Sequence, residues 1–126
     1  MARILIIDDD VDLVQILTIA LTNHGHEVSS AGDPASGFEA CRRVTPDMVL
    51  LDYHMPGNTG AHLFETLRRN TATARTPILF MSAVASGAQV VAEVSDPELS
   101  RFLPKPVQIS HLLQVIAEML AAAKRV

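Results

Sequence analysis

Short apolar runs alternate with amphipathic segments five times along this chain, and that alternation leaves few folds open. Ile4-Leu5-Ile6-Ile7 is a continuous apolar run ended by acid, the pattern of a strand buried on both faces. From Val11 to Asn23, Leu13, Ile16, Leu17, Ala20 and Leu21 recur at helical spacing, and Gly25 supplies a stop. A second strand is predicted from Glu27 to Ala31. Asp33-Pro34 then opens a helix, with Asp as N-cap and Pro in its first position. Phe38, Cys41 and Val44 form the inner stripe of that helix, and Pro46-Asp47 breaks it. Met48-Val49-Leu50-Leu51 is the third and most apolar strand, and it runs straight into Asp52.

After Met55-Pro56-Gly57 a helix is predicted from Gly60 to Arg69. Pro77 introduces the fourth strand, Ile78-Leu79-Phe80-Met81, which ends at Ser82. Ala83 to Val94 reads as a short or mobile helix because Gly87 interrupts it. Arg101-Phe102-Leu103 is the fifth strand. Pro104-Lys105-Pro106 follows, with a cis bond before Pro106 as a hypothesis, and a last helix runs from Ile109 to Ala123. Five βα units with short connections imply one α/β domain over residues 1–126, a doubly wound, five-stranded parallel sheet with helices on both faces. Composition fits such a core. Apolar residues make up 48 % of 126 positions, yet there is no Trp, so aliphatic side chains must do the packing.

The same composition excludes several classes. The net charge of −4 gives no general reason to bind nucleic acid or an anionic membrane. The basic pair Lys124-Arg125 reads as a solvated helix end. One cysteine, Cys41, precludes an internal disulfide, and its place on a helix makes it a small buried hydrophobe. No run approaches the roughly 18 apolar residues of a membrane span, and Met1-Ala2-Arg3 leads directly into a strand without the features of a signal peptide. The cytoplasm is the expected compartment. His24 and His26 read as solvated loop residues.

In a parallel sheet of this kind a ligand sits beyond the C-terminal ends of the strands. The residues there are Asp8, Asp9 and Asp10 after the first strand, Asp52 after the third, Ser82 after the fourth and Lys105 after the fifth. Asp10 and Asp12 suit the first turn of a helix, where acids complement its dipole. Asp8 and Asp9 sit earlier, at the strand end, and face the end of the third strand if these two strands are neighbours. Two unit charges about 4 Å apart repel by roughly 4 kcal/mol at an effective dielectric near 20. Either one carboxyl is protonated or a cation sits between them; the cation is the better explanation, and oxygen ligands without His or Cys select a hard ion such as Mg²⁺. The chain uses eight Arg and two Lys, so Lys105 at the mouth of this crevice suits a point charge aimed at a carboxylate or phosphate oxygen.

The runs ILIIDDD, DMVLLDYHMPGNTG, PILFMSA and FLPKP, in that order and across the whole chain, resemble the receiver domain of two-component response regulators. The resemblance implies a flavodoxin-like strand order 2-1-3-4-5. It implies Asp52 as phosphoacceptor, Asp9 as a direct Mg²⁺ ligand, Asp8 acting through water, and the His54 backbone carbonyl as a further ligand. Lys105 would contact the phosphoryl group, Ser82 would hydrogen-bond to it, and Phe102 would be the switch aromatic that turns inward. The implied donor is a phosphohistidine on a sensor histidine kinase or histidine phosphotransfer protein. The implied output is the face of the fourth helix, fifth strand and fifth helix, where Val90-Val91 lies. A downstream protein would read it, and a phosphorylation-linked homodimer is a further option.

On this reading the protein is a switch, with no catalysis beyond its own phosphorylation and slow dephosphorylation. Two features depart from the family pattern: His54, placed to influence attacking water, and Ser95-Asp96-Pro97-Glu98-Leu99, in place of a glycine-containing approach to the fifth strand. Two other classes fit less of the chain. A hydrolase with an aspartyl-phosphate intermediate would want a second acid where His54 stands. A degenerate receiver used only for docking would not need all five polar residues. The expected setting is a stand-alone regulator or the receiver of a longer protein.

Overall fold

The computed structural model describes residues 2–55, 58–83 and 99–125. Strand β1 (Arg3–Ile7) is central, with β2 (Glu27–Ala31) on one side and β3 (Met48–Asp52) on the other. A two-residue strand β4 (His54–Met55) pairs antiparallel with β5 (Asn58–Thr59) in a separate ribbon. Strand β6 (Ile78–Ser82) pairs with β3, and β7 (Ser100–Pro104) pairs with β6, all parallel. The order is β2-β1-β3-β6-β7. Counted in chain order without the ribbon, that is the expected 2-1-3-4-5.

Helices α1 (Val11–Asn23), α2 (Pro34–Val44), α3 (Gly60–Arg69) and α4 (Ile109–Arg125) cover both faces. Successive strand residues point to opposite sides, so each strand feeds two cores. Leu5, Ile7, Val49, Leu51 and Phe80 pack with Ala40 and Cys41 of α2 and Leu63, Phe64 and Leu67 of α3. Ile4, Ile6, Leu50, Leu79 and Met81 pack with Leu17 and Leu21 of α1 and with Leu112, Val115 and Ile116 of α4. Each of these fully covered aliphatic side chains stabilises the fold by about 1.5–3 kcal/mol relative to exposure.

The helix signals work as their chemistry dictates. Asp10 caps α1 by accepting from Leu13 N at 3.1 Å, and Gly25 at φ 88° ends the turn that follows. Asp33 caps α2 through Ser36 N at 2.8 Å, with Pro34 in the first turn. Thr45 closes α2 in the left-handed region at φ 48°, an unusual place for a β-branched residue. Within α1 one expectation needs correcting: Ile16, although in phase with the apolar stripe, is 55 % exposed. Val11 and Ile19 are exposed as well, so α1 has an outward apolar face. The helix expected from Ala83 to Val94, and the stretch from Ser95 to Glu98, lie beyond Ala83 and outside the described residues.

Candidate functional site

The residues singled out in the sequence continue the ladder one step past the strand ends. Asp8 N donates to Ala31 O at 3.0 Å, Tyr53 N to Met81 O at 3.0 Å, and Lys105 N to Ser82 O at 3.0 Å. Register therefore decides who meets whom. Ile7 stands beside Leu51, and Asp52 beside Met81, so the Asp8 and Asp52 side chains emerge at one level.

Carboxylate oxygens of Asp8, Asp9 and Asp52 lie within 4.8 Å of one another. Asp8 and Asp52 are buried, while Asp9 faces solvent. Lys105 Nζ reaches Asp8 Oδ2 at 2.9 Å and Asp52 Oδ2 at 3.6 Å, bridging the two buried acids. Asp8 Oδ1 accepts from Asp10 N at 2.9 Å, and Asp52 Oδ1 accepts from His54 N at 3.2 Å. The peptide bond between Lys105 and Pro106 is cis.

Burial, with the neighbouring charge of Asp8, pushes the Asp52 carboxyl up to about 6; the His54 amide and Lys105 pull the other way. For Lys105 burial opposes the charge, but the hydrogen bond and charge of Asp8, with Asp52 behind it, hold its ammonium above the ordinary value. Three carboxylates against one ammonium leave an excess of negative charge in a partly dry crevice. That donor set, oxygen only and short of positive charge, fits a hard divalent cation such as Mg²⁺.

Ser82 is buried at the end of β6, beside Pro104 in the register. Phe102 is half-buried on β7 opposite Phe80 and packs against the α2–α3 core. The His54 side chain is exposed, and its ring lies 5.1 Å from that of Tyr53.

Sequence reasoning did not find the contacts around the Asp52 backbone. Gly60, first residue of α3, donates its N–H to Tyr53 O at 2.6 Å, and the ribbon of β4 and β5 lies between the two. The sequence shows Met55-Pro56-Gly57 only as the approach to a helix, because two-residue strands have no periodicity to read. At the opposite end of the sheet a cavity of about 310 Å³ is lined by Ala2, His26, Asp47, Leu120, Ala123 and Lys124. There His26, expected in solvent, is half-buried, and its Nδ1 accepts from Ala2 N at 3.1 Å.

A family model described as the response regulator receiver domain matches residues 4–117. The DNA-binding response regulator MtrA of Mycolicibacterium smegmatis is 35 % identical over 107 residues, covering 82 % of this chain and 46 % of MtrA. The DNA-binding dual master transcriptional regulator RpaA of Synechocystis is 30 % identical over 126 residues, all of this chain and 52 % of RpaA. The chain thus spans about half the length of these relatives. Among solved structures, chemotaxis protein CheY4 of Vibrio cholerae matches with a TM-score of 0.86 at 25 % identity, over 94 % of this chain and 98 % of CheY4. The relatives named as DNA-binding give no support to the expectation of no direct contact with nucleic acid. Among the described residues no helix is long and apolar enough to cross a membrane.

Proposed function

The chain belongs to the response regulator receiver family, and from that premise we propose that residues 1–126 form one receiver domain phosphorylated on Asp52. The observation that carries this reading is the buried pair Asp8 and Asp52, held together by one ammonium, Lys105. A structural ion pair would match charges; this arrangement is short of positive charge.

Asp52 Oδ is the nucleophile on the phosphorus of a phosphohistidine carried by a histidine kinase or histidine phosphotransfer protein. The P–N bond breaks and the imidazole leaves with its electron pair. Asp8, Asp9, Asp52 and the His54 carbonyl would hold Mg²⁺, which when bound would neutralise charge at the phosphoryl oxygens. Lys105 releases one carboxylate contact to meet a phosphoryl oxygen, and Ser82 donates its hydroxyl to another. Phe102, half-buried on β7, moves with Ser82 and changes the face that a downstream protein or a second copy reads. His54 sits beside the path of the water that ends the signal. The exposed Val11, Ile16 and Ile19 begin one residue past the α1 cap and suit contact with a protein donor. We assign the domain to the cytoplasm, where such donors present their phosphohistidine. DNA binding is in the names of MtrA and RpaA, about half of whose length this chain matches; we assign it to no residue here.

Incubation with Mg²⁺ and acetyl phosphate, followed by intact-mass measurement, tests the proposal. The wild type is expected to gain one phosphoryl group and Asp52→Asn none. Equal gain by both, or none by the wild type, defeats the reading and leaves a docking module.

A further inference from the structure

The tightest backbone approach in the described glycines falls on the phosphoacceptor itself. A Cβ built on Gly60 would stand 2.5 Å from Asp52 O, 3.0 Å from Tyr53 Cα and 3.2 Å from Asp52 C. All three atoms belong to the backbone of Asp52 and Tyr53, and that backbone is itself tied to its neighbours. Tyr53 N is bonded to Met81 O, Asp52 is in register with Met81, and the buried Tyr53 ring meets Phe80 edge-on at 5.8 Å. From the other side Gly60 N holds Tyr53 O at 2.6 Å. The first turn of α3 therefore closes directly on the residue that carries the chemistry.

We propose that Gly60 is a positioning residue for Asp52: the absence of a side chain there sets where the Asp52 carboxylate stands relative to Asp8, Asp9 and Lys105. The inference rests on the function proposed above. A methyl at Gly60 needs close to an ångström more room against Asp52 O. The peptide must move, and the carboxylate three bonds away moves with it. The contacts at stake are the 3.6 Å approach of Lys105 and the 4.8 Å acid cluster. Misplacement on that scale costs about 100-fold in reactions that depend on alignment.

Gly37 on α2 provides the contrast. Its added Cβ would also be too close, at 2.8 Å to Ile7 Cδ1, 3.0 Å to Cγ2 and 3.2 Å to Cγ1, but all three atoms belong to a side chain and none to backbone. Gly37→Ala is thus a control that crowds a side chain, Ile7, and leaves the Asp52 peptide untouched by the new methyl.

The test measures Mg²⁺ affinity by calorimetry and the rate of phosphorylation by acetyl phosphate at saturating Mg²⁺. Both are compared among folded wild type, Gly60→Ala and Gly37→Ala. Gly60→Ala is expected to bind Mg²⁺ about tenfold more weakly and to react about 10–100-fold more slowly. Gly37→Ala is expected to melt lower while keeping both within about twofold. A Gly60→Ala protein within about twofold of wild type in both readouts, or equal losses in Gly37→Ala, overturns the proposal. Should Gly60→Ala fail to fold in buffer, trimethylamine oxide favours the compact state, and all three proteins are compared in it. A wild type that takes no phosphoryl group defeats the functional reading instead, and the calorimetric comparison still decides on Gly60.

Discussion

The two ends of the sheet are both polar, but they use polarity in opposite ways. Where the strands begin, polar groups are tied mainly to backbone acceptors and donors. The Arg68 guanidinium donates to Thr73 O, Thr76 O, Leu99 O and Ser100 Oγ, and stacks over the Phe64 ring at 4.9 Å. Asp47 Oδ2 accepts from Arg3 N at 2.8 Å, and His26 accepts from Ala2. Where the strands finish, two buried carboxylates and a third beside them share a single ammonium. One end lowers the free energy of the fold. The other holds unbalanced charge that a bound cation or a proton on Asp52 relieves, which is how a site differs from a polar joint.

Four measurements bear on that contrast, taken from the largest expected effect down. Arg68→Ala removes a donor from each of four acceptors, of which Thr73 O and Leu99 O keep a second from Thr76 N and Ile78 N, and should cost about 3 kcal/mol in urea unfolding. Arg68→Lys, without the planar fork, should recover less than half. Mg²⁺ affinity should hold in both, and its loss would join the two ends that the comparison separates. Asp52→Asn should do the reverse and stabilise the Mg²⁺-free protein at pH 7 by roughly 2 kcal/mol. The sign follows from the carboxyl being pushed up to about 6 in the fold from 3.8. The folded state binds the proton more tightly, so wild type gains stability as pH falls from about 7 towards 4, and the variant lacks that gain.

Thr45→Gly relieves a β-branched residue at φ 48° and should stabilise by about 1 kcal/mol, read as a rise in melting temperature. The smallest effect is expected at His26. Burial, with the positive charges of the N-terminus and His24, holds its imidazole below 6.5. The fold there prefers the neutral ring, so stability should fall as pH drops through about 6.5. His26→Gln should remove that slope. Opposite pH slopes for Asp52→Asn and His26→Gln, each measured against wild type by thermal melts, would sharpen the division between the ends.

What the sequence made legible was whatever depends on local pattern. The ends of α1 were readable because Asp10 and Gly25 are local signals, and β3 because four apolar residues run unbroken into Asp52. The acids at 8, 9 and 52 could be placed at strand ends because alternation marks where strands finish, and the strand order that makes them neighbours came with the family resemblance. Ile16 misled because spacing gives the phase of a stripe and not its width, and its edge on α1 lies in solvent. Arg68 was invisible for another reason. At the end of a helix it resembles a solvated cation, and the acceptors that bury it lie as far as 32 residues away. Thr45 and Gly60 depend on backbone approach, which residue type alone does not report.

Tyr53 is the only tyrosine in a chain without tryptophan. It is buried between Phe80 and His54, immediately after Asp52. All the ultraviolet emission of this protein above the phenylalanine band therefore comes from a single ring one peptide away from the Asp52 carboxylate. Quenching or brightening of that ring is an internal optical gauge of the site. It needs no label, and nothing else in the chain adds to its signal.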